Sequence, residues 1–133
     1  MTLTRNELVS RFIRAGELEV SGDDPAELDS YFDTSTFRFH GAGGFETDYA
    51  GLTDYFRAVR AAFSDRSIRR GIIVAEGEYI ACQTPAGPIP PNGGRVVWDL
   101  SNIFRFDDQG RLVEEWVRTD YRSFLVQLGA PGR

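Results

Sequence analysis

The sequence predicts an α+β domain in which three helices, all from the N-terminal half, pack on the concave face of a strongly curved antiparallel sheet. Three observations carry this. Helical spacing of apolar residues dominates as far as Phe63, strand alternation takes over from Ser67, and the order is two helices, a strand, a helix and then four antiparallel strands. A sheet of this kind closed by helices forms a cone with an apolar mouth. Residues 1–133 read as one domain, with no internal repeat and no linker.

Thr4-Arg5-Asn6-Glu7 has the form of a capping box, in which the hydroxyl and the carboxylate each satisfy a backbone N–H left open at a helix start. It opens a helix with Leu8, Phe12, Ala15 and Leu18 on one face, interrupted by Gly22 and Asp23. Asp24-Pro25-Ala26-Glu27 repeats the start signal, because proline lacks an N–H that the first helical position cannot use anyway. Leu28, Tyr31 and Phe32 give this short helix its apolar side. Thr36 to His40 reads as a strand, ended by Gly41, Gly43 and Gly44. Leu52, Tyr55, Phe56, Val59, Ala62 and Phe63 fall at i, i+3, i+4, i+7, i+10 and i+11, the spacing of a third helix. Ile72-Ile73-Val74 and the run from Tyr79 to Thr84 flank the turn Glu76-Gly77-Glu78. Pro85 to Gly94 is a loop, since its prolines give a ladder no donor. Arg95 to Tyr121 forms a long hairpin about Asp107-Asp108-Gln109-Gly110, and Phe124, Leu125 and Leu128 make a closing turn of helix before Gly129.

Composition excludes several functions. A net charge of −5 and a pI near 4.9 provide no clustered basic face for nucleic acid. Arg69 and Arg70 adjoin, but neighbouring strand residues point to opposite faces. The start of the chain is polar and no run is long enough to cross a membrane, so a cytoplasmic protein is expected. One cysteine and one histidine leave no zinc set, and there is no Gly-x-Ser-x-Gly elbow or phosphate loop; neither metal nor cofactor is expected. Cys82, beside Ile80 and Ala81, reads as a buried inert thiol. Apolar residues at 41% and aromatics at 13% suffice to line both a core and a cavity.

The hairpin carries the functional signal. In its first strand Val96, Trp98, Leu100, Asn102, Phe104 and Phe106 share one face. In its second, Leu112, Glu114, Trp116, Arg118 and Asp120 share one face and Val113, Glu115, Val117, Thr119 and Tyr121 the other. Asn102 among tryptophan and phenylalanine, with Arg118 and Asp120 just beyond Trp116, is the make-up of a greasy small-molecule pocket with a few placed polar groups. Val113, Val117 and Tyr121 are expected to face outward and to pair two copies of the chain as a homodimer.

The run Ile103-Phe104-Arg105-Phe106-Asp107-Asp108-Gln109-Gly110-Arg111-Leu112-Val113-Glu114-Glu115-Trp116, then Asp120 and Leu125-Val126-Gln127-Leu128-Gly129, resembles the SnoaL-like polyketide cyclases of the nuclear-transport-factor-2-like superfamily. Val74-Ala75-Glu76-Gly77-Glu78 and Ala58-Val59-Arg60-Ala61-Ala62-Phe63-Ser64-Asp65 fit the same pattern, so the resemblance spans most of the chain from Phe32. It implies a cone domain and an intramolecular aldol closure without metal or cofactor, with the aspartate four residues after the tryptophan, here Asp120, as acid/base. Where such cyclases place polar donors, often histidine, this chain carries Asn102, Phe104 and Arg118. The Pro85–Gly94 loop replaces a longer family segment.

Aldol closure needs a base near the carbon acid and a donor near the carbonyl oxygen that becomes an enolate. An aromatic setting would raise Asp120 by desolvation, while Arg118, about 6–7 Å along the strand, would pull it back; Arg118 and Asp120 equally suit a structural ion pair. Asn102 is either a donor to a substrate oxygen or a partner for a neighbouring backbone group. His40 has the titration range for proton transfer, or serves as a hydrogen-bonded group beside the glycine turn. Trp98, Trp116 and Phe104 are candidates to stack a flat substrate, with Tyr55 reaching in from its helix. The expected function is aldol cyclisation or isomerisation of a hydrophobic, oxygenated, polyketide-like molecule. The alternatives are epoxide opening by Arg118-Thr119-Asp120 with Asp99, or a non-catalytic module for a small ligand or for dimerisation.

Overall fold

Among the described residues each of the three α-helices starts where a side chain replaces a missing backbone partner. In the computed structural model, which describes residues 3–62, 70–84 and 100–119, helix α1 spans Arg5–Ser21 and its capping box is closed. Thr4 Oγ1 accepts from the Glu7 N–H at 3.1 Å, and Glu7 Oε2 accepts from the Thr4 N–H at 2.9 Å. Gly22 ends it with φ +72°, a left-handed turn that costs glycine little, and its N–H donates to Leu18 O. Helix α2 (Pro25–Ser30) follows directly, with Asp24 Oδ1 accepting from the Glu27 N–H at 3.0 Å. Helix α3 (Tyr49–Ala62) begins three residues ahead of the first apolar position read from the sequence, because Asp48 Oδ1 caps the Gly51 N–H at 3.0 Å.

Among the described residues six strands form one sheet: β1 (Arg38–His40), β2 (Glu46–Thr47), β3 (Ile73–Glu76), β4 (Tyr79–Thr84), β5 (Leu100–Phe106) and β6 (Leu112–Thr119). Their order is β2-β1-β6-β5-β4-β3. All pairings are antiparallel except β1 with β6, which is parallel. The predicted α+β class holds, with two local differences. The first strand starts at Arg38 rather than Thr36, because Asp33 O accepts from the N–H groups of Thr36 and Phe37 and keeps them in a turn. The short strand β2 was not expected; the chain folds back over Ala42–Gly44 and pairs Glu46 with His40.

Helices α1 and α3 cover one sheet face. Leu8 and Phe12 of α1 and Tyr49 and Leu52 of α3 pack with Ile80, Phe104, Phe106 and Leu112 into a single core, with Phe12 set edge-on to Phe104 at 4.6 Å. Among the described residues no helix is long and apolar enough to cross a membrane. The Pro85–Gly94 loop and the closing helical turn at Phe124, Leu125 and Leu128 lie outside the described residues.

Candidate functional site

A single extra residue decides which side chains of β6 face the helices. Arg105 stands opposite Glu114, yet the next β5 residue, Phe106, stands opposite Leu112, so Val113 is a bulge. Side chains alternate strictly on either side of a bulge, and the inserted residue shifts the alternation by one. Leu112 therefore faces the core, and beyond the bulge it is Glu115 and Val117 that share its face, in register with Phe104 and Asn102. Glu114, Trp116 and Arg118 share the opposite face, as their spacing implied, but it is the face turned away from the helices. The outward reading of Val113 and Val117 is corrected in the same step: Val113 is buried, and Val117 lies beside Asn102.

Two rows of side chains cross the helix-covered face. One runs Ile73, Cys82, Asn102 and Val117; the next runs Ala75, Ile80, Phe104, Glu115, Phe39 and Thr47. Glu115 thus sets a carboxyl between Phe104 and Phe39 and is 7% exposed; Asn102 is 4% exposed. From α1, Glu19 enters the same interior at 6% exposure. Arg70, just ahead of β3, supplies the positive charge. Its guanidinium lies over the rings of Phe12 at 4.7 Å and Phe104 at 5.6 Å, and its Nη1 donates to Cys82 Sγ at 3.8 Å. Cys82 Sγ in turn donates to Asn102 Oδ1 at 3.9 Å. Gly16 makes room for this arginine, since a Cβ there would stand 2.8 Å from Nη2.

The electrostatics of this interior are unusual. Burial pushes Glu115 up to about 7, against the pull of Arg70. Burial also pushes Glu19 well up, helped by the negative charge of Glu115 and opposed by Arg70. Among the described residues two buried carboxyls lie within the electrostatic reach of the half-buried Arg70, and Glu115 Oε1 has no hydrogen-bond partner. Glu19 also borders a cavity of about 110 Å³ between the three helices, walled chiefly by Leu18, Leu28, Phe32, Leu52 and Phe56.

The outer face is organised differently. His40 stacks on Trp116 at 5.3 Å, with Nε2 2.7 Å from Glu114 Oε2 and Nδ1 2.8 Å from Glu46 Oε1. Arg105 Nη2 meets Glu114 Oε1 at 3.0 Å, and Arg118 Nη1 donates to the carbonyls of Gly41 and Val117. Burial alone would raise Glu114, but the hydrogen bonds from His40 and Arg105 outweigh it and hold it below the ordinary range.

The candidates named from the sequence therefore divide. Asn102 and Phe104 stand together inside; His40, Trp116 and Arg118 stand together outside, in a network of ion pairs and backbone contacts. Tyr55 is 50% exposed and meets Phe56 edge-on. Asp120, Trp98, Asp99 and Tyr121 lie outside the described residues. Glu19, Glu115 and Arg70 were missed. Glu19 had a legible signal, since it continues the stripe Leu8, Phe12, Ala15 at i+4.

A family model for the SnoaL-like domain matches residues 9–115. Among solved structures, IdmH of Streptomyces antibioticus, a proposed polyketide cyclase, superimposes with a TM-score of 0.77 at 23% identity, covering 93% of this chain and 99% of that one. AclR of Streptomyces galilaeus, a proposed hydroxylase, gives 0.75 at 21% identity, over 95% and 83% of the two chains. A protein of Catenulispora acidiphila with a ketosteroid isomerase-like fold, in complex with trimethylamine, gives 0.73 at 14% identity, over 97% of each chain. At these identities the likeness concerns the fold. No curated protein sequence matches the chain.

Proposed function

The chain belongs to the SnoaL-like domain family, and on that premise we propose that it is a cofactor-independent acid/base enzyme, cyclising or isomerising a hydrophobic, oxygenated, polyketide-like molecule held between helices and sheet. The observation that carries this reading is the helix-covered face itself, where Asn102 is buried between Cys82 and Val117, two residues along β5 from Phe104, which Phe12 of α1 meets edge-on. A buried amide costs stability without a partner, and among the described residues its side chain meets a long contact from Cys82, which leaves its N–H groups for a ligand oxygen. Phe104 and Phe12 supply the apolar wall. Under the family resemblance Asp120 moves the proton and Trp98 stacks the substrate. Arg118 and His40 act as positioning residues: each ties β6 to the β1–β2 turn region, Arg118 through Gly41 O and His40 through Glu114 and Glu46.

The test follows α-proton exchange of 1-tetralone in D2O by proton NMR. The wild-type protein is expected to accelerate it, and Asp120→Asn to abolish the acceleration while leaving ketone binding intact. Unchanged exchange in Asp120→Asn, or no acceleration by the wild type, would overturn the proposal.

The protein is further proposed to act as a homodimer through the outer face. Ile72, Val74, Tyr79 and Ile103 are exposed there, bordered by the Arg105–Glu114 pair. A surface carrying both signs beside an apolar stripe complements a second copy of itself across a two-fold axis. Sedimentation should give a dimer mass, reduced to the monomer by Ile103→Glu. A monomeric wild type refutes it.

A further inference from the structure

The covered face sets two polar side chains of different chemistry in neighbouring rows. Asn102 of β5 stands opposite Val117, and Glu115 of β6 stands opposite Phe104. The two are therefore diagonal neighbours on one face of an antiparallel pair, with Cβ atoms roughly 7 Å apart. Each is more than nine-tenths buried. Glu115 Oε1 has no hydrogen-bond partner among the described residues, and Phe104 and Phe39 flank it along its row. Buried polar atoms are nearly always paired, so an oxygen left over on the face proposed to hold a ligand is where a polar atom of that ligand belongs. Among the described residues, Glu19 of α1, Arg70 ahead of β3 and Cys82 of β4 enter the same interior. Burial outweighs the pull of Arg70 and raises the Glu115 carboxyl to about 7, which keeps a proton on it in the neutral range. Asn102 is thus an N–H donor that does not titrate, and Glu115 an O–H donor that can give its proton away.

We infer that Glu115 is a second catalytic proton carrier, giving its proton to one carbonyl oxygen of the substrate while Asn102 holds another, so that the substrate is a compound with two carbonyl groups that close on each other. The inference rests on the proposed function and deepens it by adding an acid to the Asp120 base. Aldol closure contains two proton transfers, one from carbon and one to oxygen. The base takes the α-proton while the Asn102 N–H stabilises the enolate oxygen. The C–H electron pair then forms the bond to the second carbonyl carbon. The π pair of that carbonyl moves onto its oxygen, and the Glu115 proton goes to it. The product is a β-hydroxyketone isomeric with the substrate. Asp120 and Glu115 return to their starting states by exchanging protons with water, so no co-reactant is consumed. Asn102 cannot carry out the second transfer, because an amide donates a hydrogen bond without releasing its proton. One donor per oxygen, on adjacent strands, matches two carbonyls joined by a short chain rather than a lone ketone.

Heptane-2,6-dione, a small 1,5-diketone, tests this with the whole protein at pH 7, its closure to 3-hydroxy-3-methylcyclohexanone being followed by proton NMR. The wild type is expected to accelerate closure. Glu115→Gln keeps a hydrogen-bond donor but not an acid, so kcat should fall about 100-fold, the worth of one general acid, with KM close to the wild-type value. The fall in 1-tetralone exchange should be smaller, because enolisation asks only a hydrogen bond of the oxygen. Undiminished closure in Glu115→Gln, or equal losses in the two reactions, overturns the inference. Infrared spectroscopy reads the same group without turnover. A buried carboxylic-acid carbonyl band, absent from Glu115→Gln, is expected to move to lower frequency when heptane-2,6-dione binds, and Asp120→Asn should leave that movement in place while stopping both reactions. A band that does not move overturns the inference even where 1-tetralone exchange proceeds. A band that moves in a wild type without exchange supports Glu115 as the donor and overturns the Asp120 reading alone.

Discussion

Glu114 and Glu115 are the same residue type one step apart on one strand, and the protein moves them in opposite directions. Glu114 points away from the helices, receives hydrogen bonds from His40 and Arg105, and is held below the ordinary carboxylate range. Glu115 points into the core between Phe104 and Phe39, has an oxygen with no hydrogen-bond partner among the described residues, and is pushed up to about 7. The difference lies in what surrounds the carboxyl rather than in the carboxyl. On the open face charge is distributed into a network with water at its edge; on the covered face charge is scarce and expensive. Proton chemistry at neutral pH belongs to the second kind of environment.

The contrast can be broken most forcefully at the apolar neighbours. Phe104 is fully buried and Ile103, one residue earlier, is 48% exposed. Phe104→Ala should cost about 3–5 kcal/mol, through lost burial and the cavity left under Phe12. Ile103→Ala should cost roughly 0.5 kcal/mol or less in the monomer. Urea unfolding measures both, and equal losses would show that the two faces are not distinct environments.

Next in size is the pH dependence of Glu115. Its native value is raised from 4.5 to about 7, so the folded protein holds the proton more tightly than the unfolded chain. The stability this provides is complete below pH 4.5 and drains away as the pH rises towards 7, at about 1.4 kcal/mol per pH unit, on the order of 3 kcal/mol in all. Glu115→Gln should flatten that slope and unfold at higher urea than the wild type at pH 8, with little difference at pH 4.5. A parallel pair of stability curves would mean that Glu115 titrates normally.

Much of this arrangement was readable in the residues. The capping box at Thr4, the period of α3 and the hairpin turn at Asp107–Gly110 each follow from local hydrogen bonding, so the α+β class came through. The faces of β6 did not, because a bulge adds one residue without changing composition, and alternation counted across Val113 inverts every assignment after it. Glu19 was visible as an acid on an apolar stripe, and Gly16 as an unexplained glycine inside a helix. Neither could be interpreted without Arg70, whose place over Phe12 depends on where the chain re-enters the sheet.

The smallest expected effect sharpens the comparison from the open side. Glu114 carries two hydrogen-bonded partners but remains 23% exposed at its side chain, so solvent screens much of what the network gains. Glu114→Gln should cost about 1 kcal/mol at pH 7 and less at high salt. The sign with pH is opposite to that of Glu115. A depressed carboxyl contributes stability above its unfolded value of 4.5 and loses it as the pH falls through its lower native value. The gap between wild type and Glu114→Gln in urea should therefore close on acidification, while the gap for Glu115→Gln closes over the same descent from the other side. If both variants instead gain stability at pH 8, the ion network around His40 is a burden on the fold rather than a support, and the distinction between the two faces reduces to burial alone.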